Sequence, residues 1–160
     1  PFVGTRAWLP EIWSTGPRSP QGMAFHPVTG QLWMNEHGPK GGDELNRVGR
    51  GLNYGWPTIT YGIGYDDRPV PESVGTSAPG LEQPQHHWVP SIGTSGLAFY
   101  NHARSPEWMG SVLVGGLVSR SIHRLRLDAN NRVVVQEQLL SGLNWRIRDV
   151  RVGADGFIYA

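Results

Sequence analysis

Apolar positions along this chain recur with period two in short runs separated by glycine-containing turns, the pattern of antiparallel β-hairpins. Gly22-Met23-Ala24-Phe25 runs through the turn His26-Pro27-Val28-Thr29-Gly30 into Gln31-Leu32-Trp33-Met34. The last residues repeat this as Asp149-Val150-Arg151-Val152, the turn Gly153-Ala154-Asp155-Gly156, and Phe157-Ile158-Tyr159. Between the two, Gly96-Leu97-Ala98-Phe99-Tyr100 opens a third copy, with a longer turn around Pro106-Glu107-Trp108 and a return strand at 111–115. Residues 121–127 then alternate apolar and polar positions, turn at Asp128-Ala129-Asn130-Asn131 and return over 133–140.

Four short strands per repeat of about forty to fifty residues is the signature of a β-propeller blade. The spacing from Gly96 to Asp149 fits that length; the spacing from Gly22 to Gly96 exceeds it. The excess falls in 51–90, a Gly-, Pro- and Tyr-rich stretch with weak periodicity, and long loops in compact domains are usually functional. The fold expected is all-β, about three blades of four antiparallel strands, with residues 8–13 as the last strand of a preceding blade. Three blades cannot close a ring and leave raw sheet edges. Residues 1–160 therefore read as a fragment of a single propeller domain with a long loop insertion at 51–90.

Composition narrows the function classes. Glycine (22) and proline (13) leave little room for long helices, and charged residues are only 17% of the 160. A net charge of +1 gives no basic face for nucleic acid, and no apolar run is long enough for membrane insertion. The absence of cysteine removes disulfides, zinc-cysteine sites and thiol catalysis, and leaves the compartment open.

Candidate chemistry is concentrated in three places. Arg146 and Arg148, two apart on a predicted strand, share one face, which makes them either an anion clamp or two charges on a solvated strand. Arg18 follows Gly16-Pro17 and reads as a surface residue or a third cationic contact. Asn35-Glu36-His37-Gly38-Pro39-Lys40-Gly41-Gly42-Asp43-Glu44 packs acids and flexible backbone into one turn, either an oxygen-rich calcium loop or a polar connection. His86 and His87 are adjacent and on a strand would point to opposite faces, which argues against joint ligation of one metal, so they read as structural; His26, His102 and His123 lie in turn or strand positions without a partner pattern. There is no glycine-rich phosphate loop and no Gly-x-Ser-x-Gly nucleophile motif.

Six ordered segments resemble one family, the soluble quinoprotein aldose and glucose dehydrogenases of the glucose/sorbosone dehydrogenase group. They are residues 16–25 (GPRSPQGMAF), 36–44 (EHGPKGGDE), 53–57 (NYGWP), 82–84 (EQP), 95–100 (SGLAFY) and 146–151 (RIRDVR). The resemblance implies a six-bladed propeller with pyrroloquinoline quinone (PQQ) on its top face, calcium, and oxidation of an aldose sugar at its anomeric carbon to a lactone, with electrons passed to an external acceptor. It implies cofactor contacts at Arg18, Ser19, Gln21, Tyr65, Gly116, Leu117, Val118, Arg146 and Arg148. The carbonyls of Gly38 and Pro39 match a calcium bridging the quinone; Glu44 and the Tyr54 carbonyl match a second, structural calcium. A periplasmic or extracellular location is implied in the same way.

Three departures from the family pattern bear on activity. Ser19 stands where the family carries an asparagine, and Val118 where it carries a cofactor-binding lysine, which Arg120 replaces only if the turn shifts. The family's catalytic histidine lies upstream of this chain, and none of the six histidines here takes its place. Loss of the quinone would leave a non-catalytic carbohydrate-binding or interaction propeller, the alternative expectation.

Overall fold

A computed structural model describes residues 1–4 and 8–160. The predicted hairpins are present, and they assemble into two complete four-stranded antiparallel sheets and the first hairpin of a third. The first sheet runs β1 (Pro20–Phe25), β2 (Leu32–Glu36), β3 (Asp43–Arg47) and β4 (His86–Trp88); the second runs β5 (Thr94–Phe99), β6 (Val112–Gly116), β7 (Ile122–Leu127) and β8 (Val133–Leu139). The third begins as β9 (Arg151–Val152) paired with β10 (Ile158–Tyr159). Sequential up-and-down order within each sheet is that of propeller blades, and the chain is an all-β partial propeller.

The blades are joined face to face by apolar layers. Trp33, Leu45 and Trp88 from the first blade meet Leu97, Phe99, Val112, Val114 and Leu125 from the second. Tyr100, Leu113 and Ile122 in turn pack on Ile147 and Val150 ahead of the third hairpin. Burying these faces supplies the main driving force for blade association, about 25 cal/mol per Å² of apolar surface removed from water. Polar ties fix the register: the buried Asn35 amide donates to the Ser95 carbonyl at 3.0 Å, while its oxygen accepts the Gly22 N–H at 2.8 Å.

The structure corrects the sequence reading at three places. Residues 35–44 are not all one turn: Asn35 and Glu36 end β2 and Asp43 and Glu44 begin β3, because Glu36 pairs with Glu44 in the ladder. Residues 8–13 form no strand: proline at position 10 lacks an N–H, and the Ile12 amide closes a turn on the Leu9 carbonyl at 3.2 Å. The Gly51 amide bonds Trp13 O (2.7 Å), and the bridge that follows is parallel, Thr15 to Asn53. Arg146 and Arg148 lie on extended chain outside any ladder. The Ile147 amide bonds Gly116 O (3.2 Å) and the Gly96 amide bonds Arg148 O (3.3 Å), so this segment spans two partners instead of pairing with one. The side chains still alternate, with Ile147 buried and both arginines exposed. The long connection after β3 yields a three-residue fourth strand, β4, near the end of the 51–90 stretch.

Candidate functional site

The turn between β2 and β3 is the hub from which two cavities are built. Asp43, fully buried at the start of β3, accepts the amides of Gly38 (3.1 Å), Gly93 (2.7 Å) and Thr94 (3.2 Å) and the Ser91 hydroxyl. One carboxylate thereby fixes the turn at 37–42 against the connection leading into the second blade. His37 belongs to the same clamp. Its Nε2 lies 2.6 Å from the Thr94 carbonyl, which can only accept, so that nitrogen carries a proton and donates.

The larger cavity is an open cleft of about 450 Å³ between the two blades. Its first wall is His37, Gly38, Pro39, Lys40 and Gly41 with Tyr65 from the long loop; its second is Leu117, Val118 and Arg146, with Pro90, Ser91 and Gly93 between. Six of the residues singled out from sequence thus converge: Gly38, Pro39, Tyr65, Leu117, Val118 and Arg146. No acidic side chain lines the cleft, whereas Lys40 and Arg146 do. Arg120 is turned away, donating to the Asn144 side-chain oxygen at 2.8 Å, and does not replace a lysine at Val118.

The smaller cavity has room for about one water-sized particle and is lined by Arg18, Glu36, Gly38, Glu44, Tyr54 and Trp56, among others. Here the predicted Glu44 and Tyr54 come together. Burial pushes the Glu44 carboxyl up to about 7, with Glu36 and Asp43 adding to the rise and the Asn46 amide opposing it. Burial also raises Glu36, against the opposing amides of Arg18 and Ser19, the Arg18 charge and the Asn46 side chain. The Asn46 amide bridges the two carboxylates at 3.0 and 3.2 Å. Arg18 faces this cavity. Its guanidinium donates to the carbonyls of Gly38 (2.9 Å) and His37 (3.3 Å) and lies over the Trp56 ring.

The remaining predicted residues do not line the cleft. Gln21 donates to the Ser19 hydroxyl at 3.0 Å, Arg148 reaches back toward the Arg146 carbonyl, and Gly116 is buried beneath the turn that carries Leu117 and Val118. Sequence reasoning took Asp43 and Glu36 only as acids of a candidate calcium loop and gave no role to Lys40 or Trp56. The first three sit in the quoted 36–44 motif, and the density of acids between its glycines was the available signal.

A carboxyl whose folded pKa lies above its unfolded value binds the proton more tightly in the native state, so stability falls as pH rises between the two values. For Glu44 that window runs from about 4.5 to about 7. Denaturant unfolding in a chelator should therefore show a loss on the order of 2 kcal/mol from pH 5 to pH 7.5, flattened by Glu44→Gln. An equal slope in the variant would contradict this account of the cavity.

The family model for Glucose / Sorbosone dehydrogenase matches residues 1–160. Aldose sugar dehydrogenase YliI of Escherichia coli (strain K12) is 42% identical over 159 residues, covering 99% of this chain and 43% of that protein. A crystal structure of a glucose dehydrogenase superposes with a TM-score of 0.97 at 49% identity, over 99% of this chain and 46% of the other. The PQQ-bound form of aldose sugar dehydrogenase from Streptomyces coelicolor superposes with a TM-score of 0.66 at 26% identity, over 87% and 35%. The chain thus spans less than half the length of each of these relatives.

Proposed function

Because the chain belongs to the glucose/sorbosone dehydrogenase family, we propose that the protein containing it oxidises aldose sugars at the anomeric carbon, using PQQ held in the cleft between the two blades. The observation that supports this most is the convergence of Tyr65, Leu117, Val118 and Arg146, far apart in sequence, on a single cleft with two cations and no acid. A flat tricarboxylate fits such a lining. Tyr65, Pro39, Leu117 and Val118 offer apolar surface to its rings, and Lys40 and Arg146 offer charge to its carboxylates. The relatives, an aldose sugar dehydrogenase in PQQ-bound form among them, point to the same chemistry.

When bound, the quinone supplies the two-electron acceptor for the sugar; this chain supplies the seat. Arg146 and Tyr65, both lining the cleft, would hold and orient the cofactor. The Asp43 clamp ties the carbonyl-bearing turn at Gly38 and Pro39 to Gly93 and Thr94. His37 spends its Nε2 proton on Thr94 and is a positioning group, so the base that takes the sugar hydroxyl proton comes from outside these residues.

Calcium fits the donor chemistry unevenly. Among the described residues no group of three or more His, Asp and Glu side chains could hold a metal, so an ion in either cavity relies on backbone carbonyls as well. Glu44, desolvated and raised to about 7, suits a hard cation that would keep it ionised, with Tyr54 beside it. At Gly38 a divalent ion competes with the Arg18 guanidinium for the same carbonyl. Among the described residues no helix is long and apolar enough to cross a membrane. A periplasmic or extracellular location and an external electron acceptor complete the proposal.

The test is a calorimetric titration of the full-length protein with PQQ, with and without calcium, followed by dye-linked oxidation of a panel of aldoses. Binding strengthened by calcium, with turnover, is expected. One observation favours a second reading, a carbohydrate-binding propeller without redox activity: Val118 occupies the cleft wall where the resemblance expects a lysine. Sugar binding with no quinone binding, or quinone binding only after Val118→Lys, would establish that reading instead.

A further inference from the structure

Lys40 is tied into the cleft wall at two levels. Its backbone exchanges hydrogen bonds with Ile63 in both directions, at 2.9 and 3.0 Å, which pins the long loop to the turn after β2. Its ammonium pairs with Asp67, at the tip of that loop. The tip is a compact turn: Gly64 donates to the Arg68 carbonyl at 2.7 Å, Asp67 donates to Gly64 O at 3.1 Å, and Tyr65 between them is presented to the cleft. Lys40 lines the cleft and Asp67 does not. Both side chains are at least half exposed, so the pair is a surface ion pair worth little by itself and readily exchanged.

Resting on the functional reading above, we propose that Lys40 supplies the ligand-binding cation that Val118 does not, and that Asp67 restrains it. In this structure Asp67 holds the ammonium. A carboxylate of the quinone would take Asp67's place, leaving Lys40 and Arg146 as the two cations that line the cleft. Among the described residues no carboxylate pairs with Arg146, so that wall is already available. The Lys40–Asp67 pair therefore sets cofactor affinity through competition between two carboxylates for one ammonium. The loop that carries Asp67 also carries Tyr65, so the exchange happens beside the aromatic contact.

The test uses the full-length protein and PQQ itself, titrated by calorimetry at low and moderate salt. Lys40→Met is expected to weaken binding tenfold or more and to reduce its salt dependence; Lys40→Arg should retain most of the affinity. Asp67→Asn is expected to tighten binding several-fold, the opposite sign. A pair that merely braces the loop would make Lys40→Met and Asp67→Asn weaken binding alike, which overturns the proposal. Unchanged affinity in Lys40→Met with intact wild-type binding overturns it while leaving the functional reading standing. Failure of wild-type protein to bind PQQ overturns both. Thermal melts matching the wild type within a few degrees establish that the variants are folded.

Discussion

Asp43→Ala is expected to be the most damaging single substitution in the first blade, lowering the unfolding free energy by about 3–5 kcal/mol. The carboxylate is fully buried and accepts three backbone amides and one hydroxyl. Alanine leaves those donors desolvated and unpaired, at about 1–3 kcal/mol each before relaxation. Asn should cost less than Ala but more than a surface change, because its amide group turns one acceptor into a donor facing donors. Two of the released amides, those of Gly38 and Gly93, belong to residues lining the cleft, so quinone binding should fall with stability. Urea unfolding at constant m-value measures the first effect and calorimetry the second. A shift under 1 kcal/mol would mean the Asp43 clamp does not hold the blades together.

That clamp also marks where the sequence stopped being informative. The hairpins were legible because period-two alternation and glycine turns are local signals: β7, β8, β9 and β10 fall within stretches read as strands, β1, β2, β5 and β6 overlap such stretches but run one or two residues beyond them, and β3 was not read as a strand. β4 was not legible: three residues, His86–Trp88, at the end of a long loop carry no periodicity, and their pairing with β3 is set by the Asp43↔Trp88 register. The segment around Ile147 looked like a strand for a sound reason, since its side chains do alternate. It fails to be one because its two backbone bonds go to different strands, a fact of blade geometry with no local trace.

The site was legible only through resemblance, and only in part. Spacing could not bring Tyr65 to Val118 or Arg146, because their meeting depends on how two blades face each other. Within the 36–44 motif the carbonyls of Gly38 and Pro39 were picked out while Lys40, next in line, was passed over. Its relevance appears only once Val118 stands on the opposite wall and Asp67 beside it. Arg18 shows the converse: a cation assigned to the ligand that here bonds Gly38 O and faces the carboxylate cavity.

The repeated glycine of the Gly-x-Ala-Phe pattern has a structural cause that supplies the second large effect. Gly22 in β1 and Gly96 in β5 occupy the same place in successive blades, where the inner strand of one blade runs against the next. A Cβ at Gly22 would lie 2.6 Å from Ser95 O and 2.7 Å from Leu97 N; one at Gly96 would lie 2.6 Å from Val150 N and 2.7 Å from the Asp149 Cα. These obstacles are mostly backbone, so relief requires the blades to separate rather than a side chain to swing away. Gly96→Ala should therefore cost about 3 kcal/mol, the upper part of the overpacking range. It should also stretch the Gly96–Arg148 hydrogen bond and move the segment that carries Arg146, weakening quinone binding in step. Gly142→Ala is the matched control: nothing lies within 4 Å of a Cβ there and the backbone is unstrained, so stability and binding should be unchanged. If Gly96→Ala proved as stable as that control, the close approach of inner strands would not be what fixes one blade against the next, and the cleft between them would owe its shape to the polar clamp alone.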